Sequence, residues 1–159
     1  MEGTMKRLAL HDRKAWVEQA PIPSAHGANV VVRLESTPIC GSDKKHFLNP
    51  DKTIRYAGHE GTGVVVEVDK SNLVKVGDRV LTNCLSGCGV CEHCRSGNYV
   101  YCENKLPMDQ MASHFCQYTI LQDFLCIPLP EDISYDMGTL AGCVMAPAFQ
   151  TLQKMQVIP

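Results

Sequence analysis

Five of the chain's nine cysteines lie between residues 84 and 102, and four of them have the spacing of a metal site. Cys88, Cys91, Cys94 and Cys102 form a C-x2-C-x2-C-x7-C pattern. Two-residue gaps let successive thiolates reach one ion, and a fourth thiolate completes the tetrahedron that zinc accepts. Four protein ligands leave no open position, so we interpret this site as structural.

Other interpretations of this loop remain open at the level of the sequence. All-thiolate ligation also suits an iron–sulfur cluster, and the cysteines could be unrelated or form disulfides. The fifth cysteine, Cys84, lies outside the pattern and is interpreted as packing at the end of a strand. Gly87, Gly89 and Gly97 would supply the tight turns that a metal-binding loop requires.

The N-terminal residues and the charge balance exclude several classes of partner. The first sixteen residues contain no apolar run of the length that a signal peptide or a membrane span needs. We therefore expect a cytoplasmic protein, in which thiols stay reduced. The formal net charge is −2, which gives no general attraction to nucleic acid or to an acidic membrane, so neither is an expected partner.

A second set of potential metal ligands is scattered along the chain. Cys40 stands in "PICGSDKKHF" and His59 in "YAGHEGTG", each beside glycines. With one further ligand they would make a three-ligand zinc site whose fourth position is open, which is the arrangement used for catalysis. One cysteine and one histidine are weak evidence by themselves, and their spacing does not identify the third ligand.

Short β-strands are predicted to position these residues. Valine-rich or alternating apolar segments predict strands in MKRLALHD, AWVEQAP, ANVVVRLESTPI with Ile39 near its end, GTGVVVEVD, KVGDRVLTNC, FCQYTILQ and FLCIPLP. Ser134 is predicted to cap a short helix. A second helix is predicted from Cys143 to Met155, with Pro147 marking an early start or a kink. One mainly β domain with a few helices follows, either a barrel or a sandwich.

These motifs together resemble those of the zinc-dependent medium-chain alcohol and polyol dehydrogenases. CGSD at 40–43, GHEGTG at 58–63, VGDRV at 76–80 and the cysteine loop occur in the order and approximate spacing of that family. The resemblance covers nearly the whole chain. It implies an oxidoreductase and a GroES-like, partly open β-barrel that carries the catalytic residues.

The resemblance also implies how the domains are organised. It assigns residues 1–159 to the GroES-like catalytic domain, with a structural-zinc loop at 84–103. The family's Rossmann domain binds NAD or NADP through a G-x-G-x-x-G turn, and no such turn occurs in this sequence. We therefore expect the coenzyme domain after residue 159, and we expect the chain to be inactive without it.

The resemblance supplies the missing catalytic-zinc ligand. It implies that Cys40 and His59 bind the metal and that Cys143 is the third ligand, because "LAGCVMAPAFQTLQKMQVIP" matches the family's segment before the helix that leads to the coenzyme domain. Without the resemblance, Cys143 would be interpreted as an ordinary buried cysteine at the start of a helix. Cys116 and Cys126 fall in predicted strands and are expected to pack in the core.

Further residues receive roles from the same resemblance. A carboxylate at Asp43 would accept the free N–H of His59, or would instead cap a helix. Glu60 is implied to lie near the metal, sometimes as a direct or transient ligand, with an exposed surface carboxylate as the alternative.

The implied proton path begins at Ser42, whose hydroxyl would lie beside the cofactor, touch the substrate alcohol and pass its proton outwards. Its alternative role is a capping hydroxyl. Many relatives have a histidine five residues after the first zinc cysteine, where this chain has Lys45. His46, one position later, is the candidate for the outer end of the path or a lone exposed histidine.

The expected function is therefore alcohol or polyol oxidation with two zinc ions per chain, one catalytic and one structural, and with NAD or NADP as hydride acceptor. The resemblance further implies a homodimer or homotetramer at full length. The cysteine loop alone suggests the alternative, a zinc-binding structural or interaction module without catalysis.

Overall fold

The computed structural model describes residues 2–48, 54, 56–83, 85–105 and 113–156. Seven strands are present there: β1 Thr4–His11, β2 Lys14–Pro21, β3 Asn29–Ser36, β4 Gly61–Val68, β5 Arg79–Thr82, β6 Tyr118–Gln122 and β7 Cys126–Pro128. The α-helices are α1 Asp43–Leu48, α2 Glu92–Arg95, α3 Tyr135–Thr139 and α4 Met145–Lys154. Short 3-10 turns cover Tyr99–Tyr101 and Asp123–Leu125. The predicted strand-end packing of Cys84 lies outside the described residues.

The described strands form two antiparallel sheets. β1 and β2 make a hairpin, and the other five strands are ordered β6-β3-β4-β5-β7. The hairpin joins the segment before β6 through backbone hydrogen bonds, for example from Leu8 N–H to Phe115 O at 2.8 Å. Neither sheet closes on itself. The prediction of a mainly β, partly open barrel with a few helices is confirmed.

The core lies against the five-stranded sheet. Val30, Val31 and Val32 of β3 are all fully buried, so both faces of the central strand are covered. The rest of the core cluster comes from the neighbouring strands and turns: Val65, Val74, Val80, Leu121, Leu125 and Cys126. Each buried valine or leucine contributes about 1.5–3 kcal/mol relative to an exposed one. The site residues described below therefore attach to a well-packed scaffold.

One glycine lets the two central strands approach closely. Gly63 of β4 faces Leu34 of β3 in the register, and a Cβ at this position would collide with the carbonyl group of Arg33. The GHEGTG motif thus carries a glycine that the sheet itself needs.

Several boundaries differ from the sequence predictions, and two of these differences involve a proline. The third strand ends at Ser36, and Ile39 is 83% exposed rather than part of the strand, because Pro38 has no N–H for the ladder. The last helix begins at Met145, two residues after the predicted start. Pro147 lies in its first turn, where the missing N–H has no intrahelical partner to lose. Ser134 caps α3 as predicted, accepting from Met137 N–H at 3.2 Å.

Two features of the surface bear on partners. α4 exposes an apolar stripe formed by Met145, Phe149 and Leu152. Across the described ranges, none of the helices is long and apolar enough to cross a membrane.

Candidate functional site

The four cysteines of the C-x2-C-x2-C-x7-C loop converge on one point. The Sγ atoms of Cys88, Cys91, Cys94 and Cys102 all lie within 4.8 Å of one another. The Cys88 and Cys94 sulfurs are 3.9 Å apart. Tetrahedral zinc with Zn–S bonds of about 2.3 Å places its sulfurs about 3.8 Å apart. The donor set therefore fits a zinc ion, which these four residues would hold.

Local backbone geometry shapes this loop. Cys91 is the N-cap of α2, and its Sγ accepts from Cys94 N–H at 3.4 Å. Gly89 and Gly97 have φ angles of 74° and 77°, which favour glycine. A Cβ on Gly87 would lie 2.6 Å from Cys94 Sγ. The local backbone geometry or packing therefore favours glycine at all three positions predicted to shape the loop.

Backbone amides also prepare the loop for a cation. The N–H groups of Val90 and Cys91 point at Cys88 Sγ and lower the pKa of this thiol to about 6. Burial raises the pKa of Cys94 to about 11, an effect that a bound cation would oppose. A metal would thus meet a thiol that ionises readily at Cys88 and would displace the proton of Cys94.

A second group of donors comes from three distant parts of the chain. The donor atoms of Cys40, His59, Glu60 and Cys143 all lie within 4.8 Å of one another. We call this group the C40 cluster. Cys40 precedes α1, His59 and Glu60 precede β4, and Cys143 lies between α3 and α4. The three ligands implied by the resemblance are therefore adjacent, and thiolate, imidazole and carboxylate together suit zinc.

Asp43 connects the C40 cluster to the start of α1. Its Oδ2 accepts from Cys40 N–H at 2.9 Å, and its Oδ1 lies 3.3 Å from both His59 Nδ1 and Gly58 N. Asp43 therefore makes the contact to His59 that the resemblance implies, whereas its bond to Cys40 N–H goes to a residue before the helix and is not a helix cap. A proton on Nδ1 shared with this carboxylate leaves the Nε2 lone pair facing the cluster.

Glu60 is 4% exposed, so the alternative of an exposed surface carboxylate is wrong. Its Oε1 lies 3.6 Å from His59 Nε2, and its Oε2 accepts from Cys143 N–H at 3.3 Å. The C40 cluster therefore contains a fourth protein donor in addition to the three implied ligands.

The candidate proton-path residues have different positions. Ser42 Oγ lies 3.4 Å from His59 Nε2, so its hydroxyl faces the C40 cluster. Lys45 and His46 are exposed on α1. The structure thus brings Ser42 to the cluster and leaves His46 on the outer surface of the helix.

The two other cysteines among the described residues pack differently from one another. Cys126 is 6% exposed and belongs to the core, as predicted. Cys116 is half-buried and makes an isolated bridge to Arg7 instead of lying in a strand. Burial raises the pKa of each thiol to about 12, so neither is a nucleophile at neutral pH.

Sequence reasoning missed His114, a buried histidine behind the C40 cluster. It is 3% exposed, and its backbone N–H donates to Gly58 O at 3.0 Å, next to His59. Among the described residues its Nε2 has no hydrogen-bond partner. Burial lowers the pKa of His114 to about 4. A lone histidine in "ASHFCQY" carries no spacing signal, so only the fold reveals this position.

This burial predicts a pH dependence of stability. Because the pKa of His114 is about 4 in the folded state and about 6.5 when unfolded, only the unfolded chain gains a proton as the pH falls between these values. The free energy of unfolding should therefore decrease by about 3 kcal/mol from pH 7.5 to pH 4 through this residue. Urea unfolding of the wild type and of His114→Gln at both pH values measures this decrease. An equal change in the free energy of unfolding in the two proteins would show that His114 is not its source.

Comparisons with known proteins identify the family of this chain. Residues 26–131 match the family model described as the alcohol dehydrogenase GroES-like domain. The sorbitol dehydrogenase of Bombyx mori is 32% identical over 132 residues, which are 77% of this chain and 38% of that protein. The L-threonine 3-dehydrogenase of Shewanella sp. (strain ANA-3) is 30% identical over 138 residues, which are 81% of this chain and 40% of that protein.

A solved structure shows the same relationship. The 2R,3R-butanediol dehydrogenase from Bacillus subtilis has a TM-score of 0.70 and 26% identity, over 86% of this chain and 44% of that one. This chain thus spans about 40% of the length of the curated relatives it matches. Because the family model covers more than half of the chain, the protein belongs to the GroES-like domain family of the zinc-dependent alcohol dehydrogenases.

Proposed function

We propose that this chain is the catalytic domain of a zinc-dependent, NAD(P)-linked alcohol or polyol dehydrogenase. The observation that carries the proposal is the convergence of Cys40, His59 and Cys143, with the Ser42 hydroxyl beside them. Family membership supports an oxidoreductase of this class. The relatives named sorbitol dehydrogenase, L-threonine 3-dehydrogenase and 2R,3R-butanediol dehydrogenase support an alcohol or a polyol as the substrate.

Two zinc ions per chain are proposed. One would be held by the four cysteines of the loop and would have a structural role, because its coordination is complete. The other would be held by Cys40, His59 and Cys143. When bound there, zinc supplies Lewis-acid polarisation of an alcohol oxygen.

The chain's own residues prepare this site. Asp43 fixes the orientation of the His59 ring through the 3.3 Å contact to Nδ1, so that Nε2 faces inwards. Glu60 keeps its Oε2 on the backbone N–H of Cys143 and its Oε1 near His59. Glu60 would be a further donor to a metal held by these residues, as a direct or transient ligand.

Ser42 is the proposed first proton acceptor. Oxidation of an alcohol removes a hydride from carbon and a proton from oxygen. A bound NAD(P)⁺ would supply the hydride acceptor, and Ser42 Oγ would take up the hydroxyl proton of the alcohol while releasing its own proton towards solvent. His46 is exposed on the same helix, and we propose it as the outer acceptor of this proton.

The coenzyme and assembly are further parts of the proposal. We propose that a domain beyond these 159 residues binds NAD(P), since the sequence contains no G-x-G-x-x-G turn. Ser42 would then lie at the boundary between substrate and nicotinamide. A homodimer or homotetramer is proposed for the full-length protein.

The decisive experiment measures coenzyme reduction by the zinc-loaded protein in its full natural length. We expect NADH or NADPH formation at 340 nm with at least one of sorbitol, L-threonine and 2,3-butanediol, and no formation with the 159-residue chain alone. If the full-length protein reduces neither coenzyme with any alcohol or polyol, the dehydrogenase proposal is wrong. Zinc binding without coenzyme reduction would instead support a structural or interaction module.

A further inference from the structure

The segment that carries Cys143 is held in place by residues far from it in sequence. Residues 130–143 run from the end of β7, through α3, to the C40 cluster. The contacts described below fix this segment at three successive points. Only the last of these contacts involves a proposed zinc ligand.

Arg79 of β5 holds the first part of the segment. Its Nη1 donates to Pro130 O at 3.0 Å and to Glu131 O at 2.9 Å, and its Nη2 donates to Ile133 O at 2.6 Å. Its guanidinium also lies over the Tyr135 ring, with Cζ 4.6 Å from the ring centroid. One side chain thus organises the turn that leads into α3.

The nature of these contacts requires arginine. A guanidinium has five donors in a rigid plane and stacks on an aromatic ring, so it can bind three carbonyl groups and the ring at once. A lysine ammonium is a compact point charge and has no planar face to stack on a ring. The backbone of Arg79 is itself fixed, because its carbonyl accepts from Leu129 N–H at 2.9 Å and its strand pairs with β4.

α3 is then fixed against β4. Thr62 is fully buried, and its Oγ1 donates to Tyr135 O at 2.8 Å. Gly138 packs on the same threonine, since a Cβ there would lie 3.0 Å from Thr62 Cγ2 and 2.7 Å from Leu129 Cδ1. Because Thr62 follows Glu60 by two residues, α3 is anchored on the strand that begins beside the C40 cluster.

The last point of attachment is at the cluster. After α3 the chain continues in tight turns, with Gly142 N–H donating to Thr139 O at 3.2 Å. A Cβ on Gly142 would lie 3.6 Å from Glu60 Oε2. The next residue, Cys143, donates its N–H to that same oxygen.

We propose that Arg79 is a positioning residue that places the Cys143 thiolate at the C40 cluster, by fixing the turn before α3. The effect passes through Tyr135 and Thr62 to the turns after α3. This inference rests on the proposed function, because it assigns Arg79 to the assembly of the zinc site. It concerns metal affinity and geometry, with no direct contact to the substrate.

The test uses Arg79→Lys in the 159-residue chain, which keeps the charge and removes the planar fork. Zinc affinity at each site is measured by competition with a chelator, and cobalt(II) substitution reports the ligand geometry through its visible absorption. We expect zinc to bind about 10- to 100-fold more weakly at the C40 cluster, the range typical for residues that orient a metal ligand. Affinity at the cysteine loop should not change.

Arg33→Lys is the matched control, because Arg33 lies in the same sheet, on β3, and binds the Glu35 side chain rather than backbone carbonyls. Zinc affinity at both sites should equal that of the wild type.

Thr62→Val removes the hydroxyl contact to Tyr135 O with little change of shape. It should weaken the same site selectively, and it keeps the test decisive if Arg79→Lys does not fold.

Several results would overturn the proposal. Unchanged affinity at the C40 cluster in Arg79→Lys and Thr62→Val would show that the turn does not position Cys143. Equal weakening at both zinc sites would show general destabilisation of the fold instead. Zinc binding by the wild-type chain distinguishes failure of the proposed function from failure of this inference. If the wild type binds no metal at the C40 cluster, both are wrong.

Discussion

Replacing Cys40 with alanine should remove one of two zinc ions from the chain and lower coenzyme reduction by the full-length protein at least about 1,000-fold. The variant leaves His59, Glu60 and Cys143 in the C40 cluster, so a metal would lose a thiolate that no neighbour replaces. Lewis-acid polarisation contributes several kcal/mol to such reactions, and each 1.36 kcal/mol corresponds to a tenfold change in rate. The loss should appear in kcat and not only in KM.

Metal analysis of the 159-residue chain measures the first part of this result, and 340 nm absorbance with the full-length protein measures the second. Cys116→Ser is the matched control, because the Cys116 Sγ bonds to backbone carbonyls of Ser113 and Tyr118 and lies in neither cluster. The control should keep both zinc ions. A Cys40→Ala protein with two zinc ions would contradict the proposed catalytic site, and so would a wild-type protein with only one, bound by the loop.

The part of the molecule that the sequence predicts best is the part built from local spacing. The cysteine loop is contained in fifteen residues, so its two-residue gaps and glycines already determine that four sulfurs can meet. The valine-rich strands are likewise local, and each was found with its boundaries shifted by a few residues. Ser134 as a helix cap depends only on the three residues that follow it.

The C40 cluster could not be built from spacing in the same way. Cys143 is 83 residues from Glu60 in sequence, and the two meet only through the path of the chain between β7 and α4, a segment that Arg79 and Thr62 contact. The resemblance supplied Cys143 as a ligand, whereas residue spacing alone did not. The resemblance likewise implied that Glu60 lies near the metal, whereas its residue type alone favours an exposed carboxylate instead of the buried one found.

Burial accounts for the remaining differences between the sequence predictions and the structure. His114 is an inconspicuous histidine in sequence, and its unusual state arises from the segments 57–61 and 113–116 packing around it. Ile39 was counted in a strand because it is apolar, yet Pro38 ends the ladder before it. Both cases depend on which neighbours surround a side chain, and residue type alone does not report this.

Replacing Cys94 with serine should release the zinc proposed for the cysteine loop and unfold the centre of this loop, around α2, while the sheets remain folded. α2 has only four residues, which is too short for a stable isolated helix. Val90 and Tyr101 are 76% and 66% exposed, so the loop has little apolar core of its own. Apparent zinc-binding free energies of about 10–16 kcal/mol in small zinc domains show how much folding a metal can support.

Limited trypsin digestion measures this effect, because Arg95 is exposed within α2. We expect cleavage after Arg95 in Cys94→Ser and protection in the zinc-loaded wild type, with hydrogen exchange in β3 and β4 unchanged. A chelator added to the wild type should reproduce the cleavage, and Cys116→Ser should remain protected. Protection of the Cys94→Ser loop without metal would show that contacts to the sheet suffice.

Those contacts explain why the effect should stay local. Gln122 of β6 binds Gly87 through both amide atoms, at 2.6 Å to Gly87 O and 3.2 Å from Gly87 N. The Tyr99 ring lies 5.4 Å from the Phe124 ring, which packs on the core. These anchors fix the ends of the loop, whereas its centre depends on the four sulfurs. Because the C40 cluster is formed by other segments, Cys94→Ser should retain one zinc ion, and this remaining ion distinguishes the two sites.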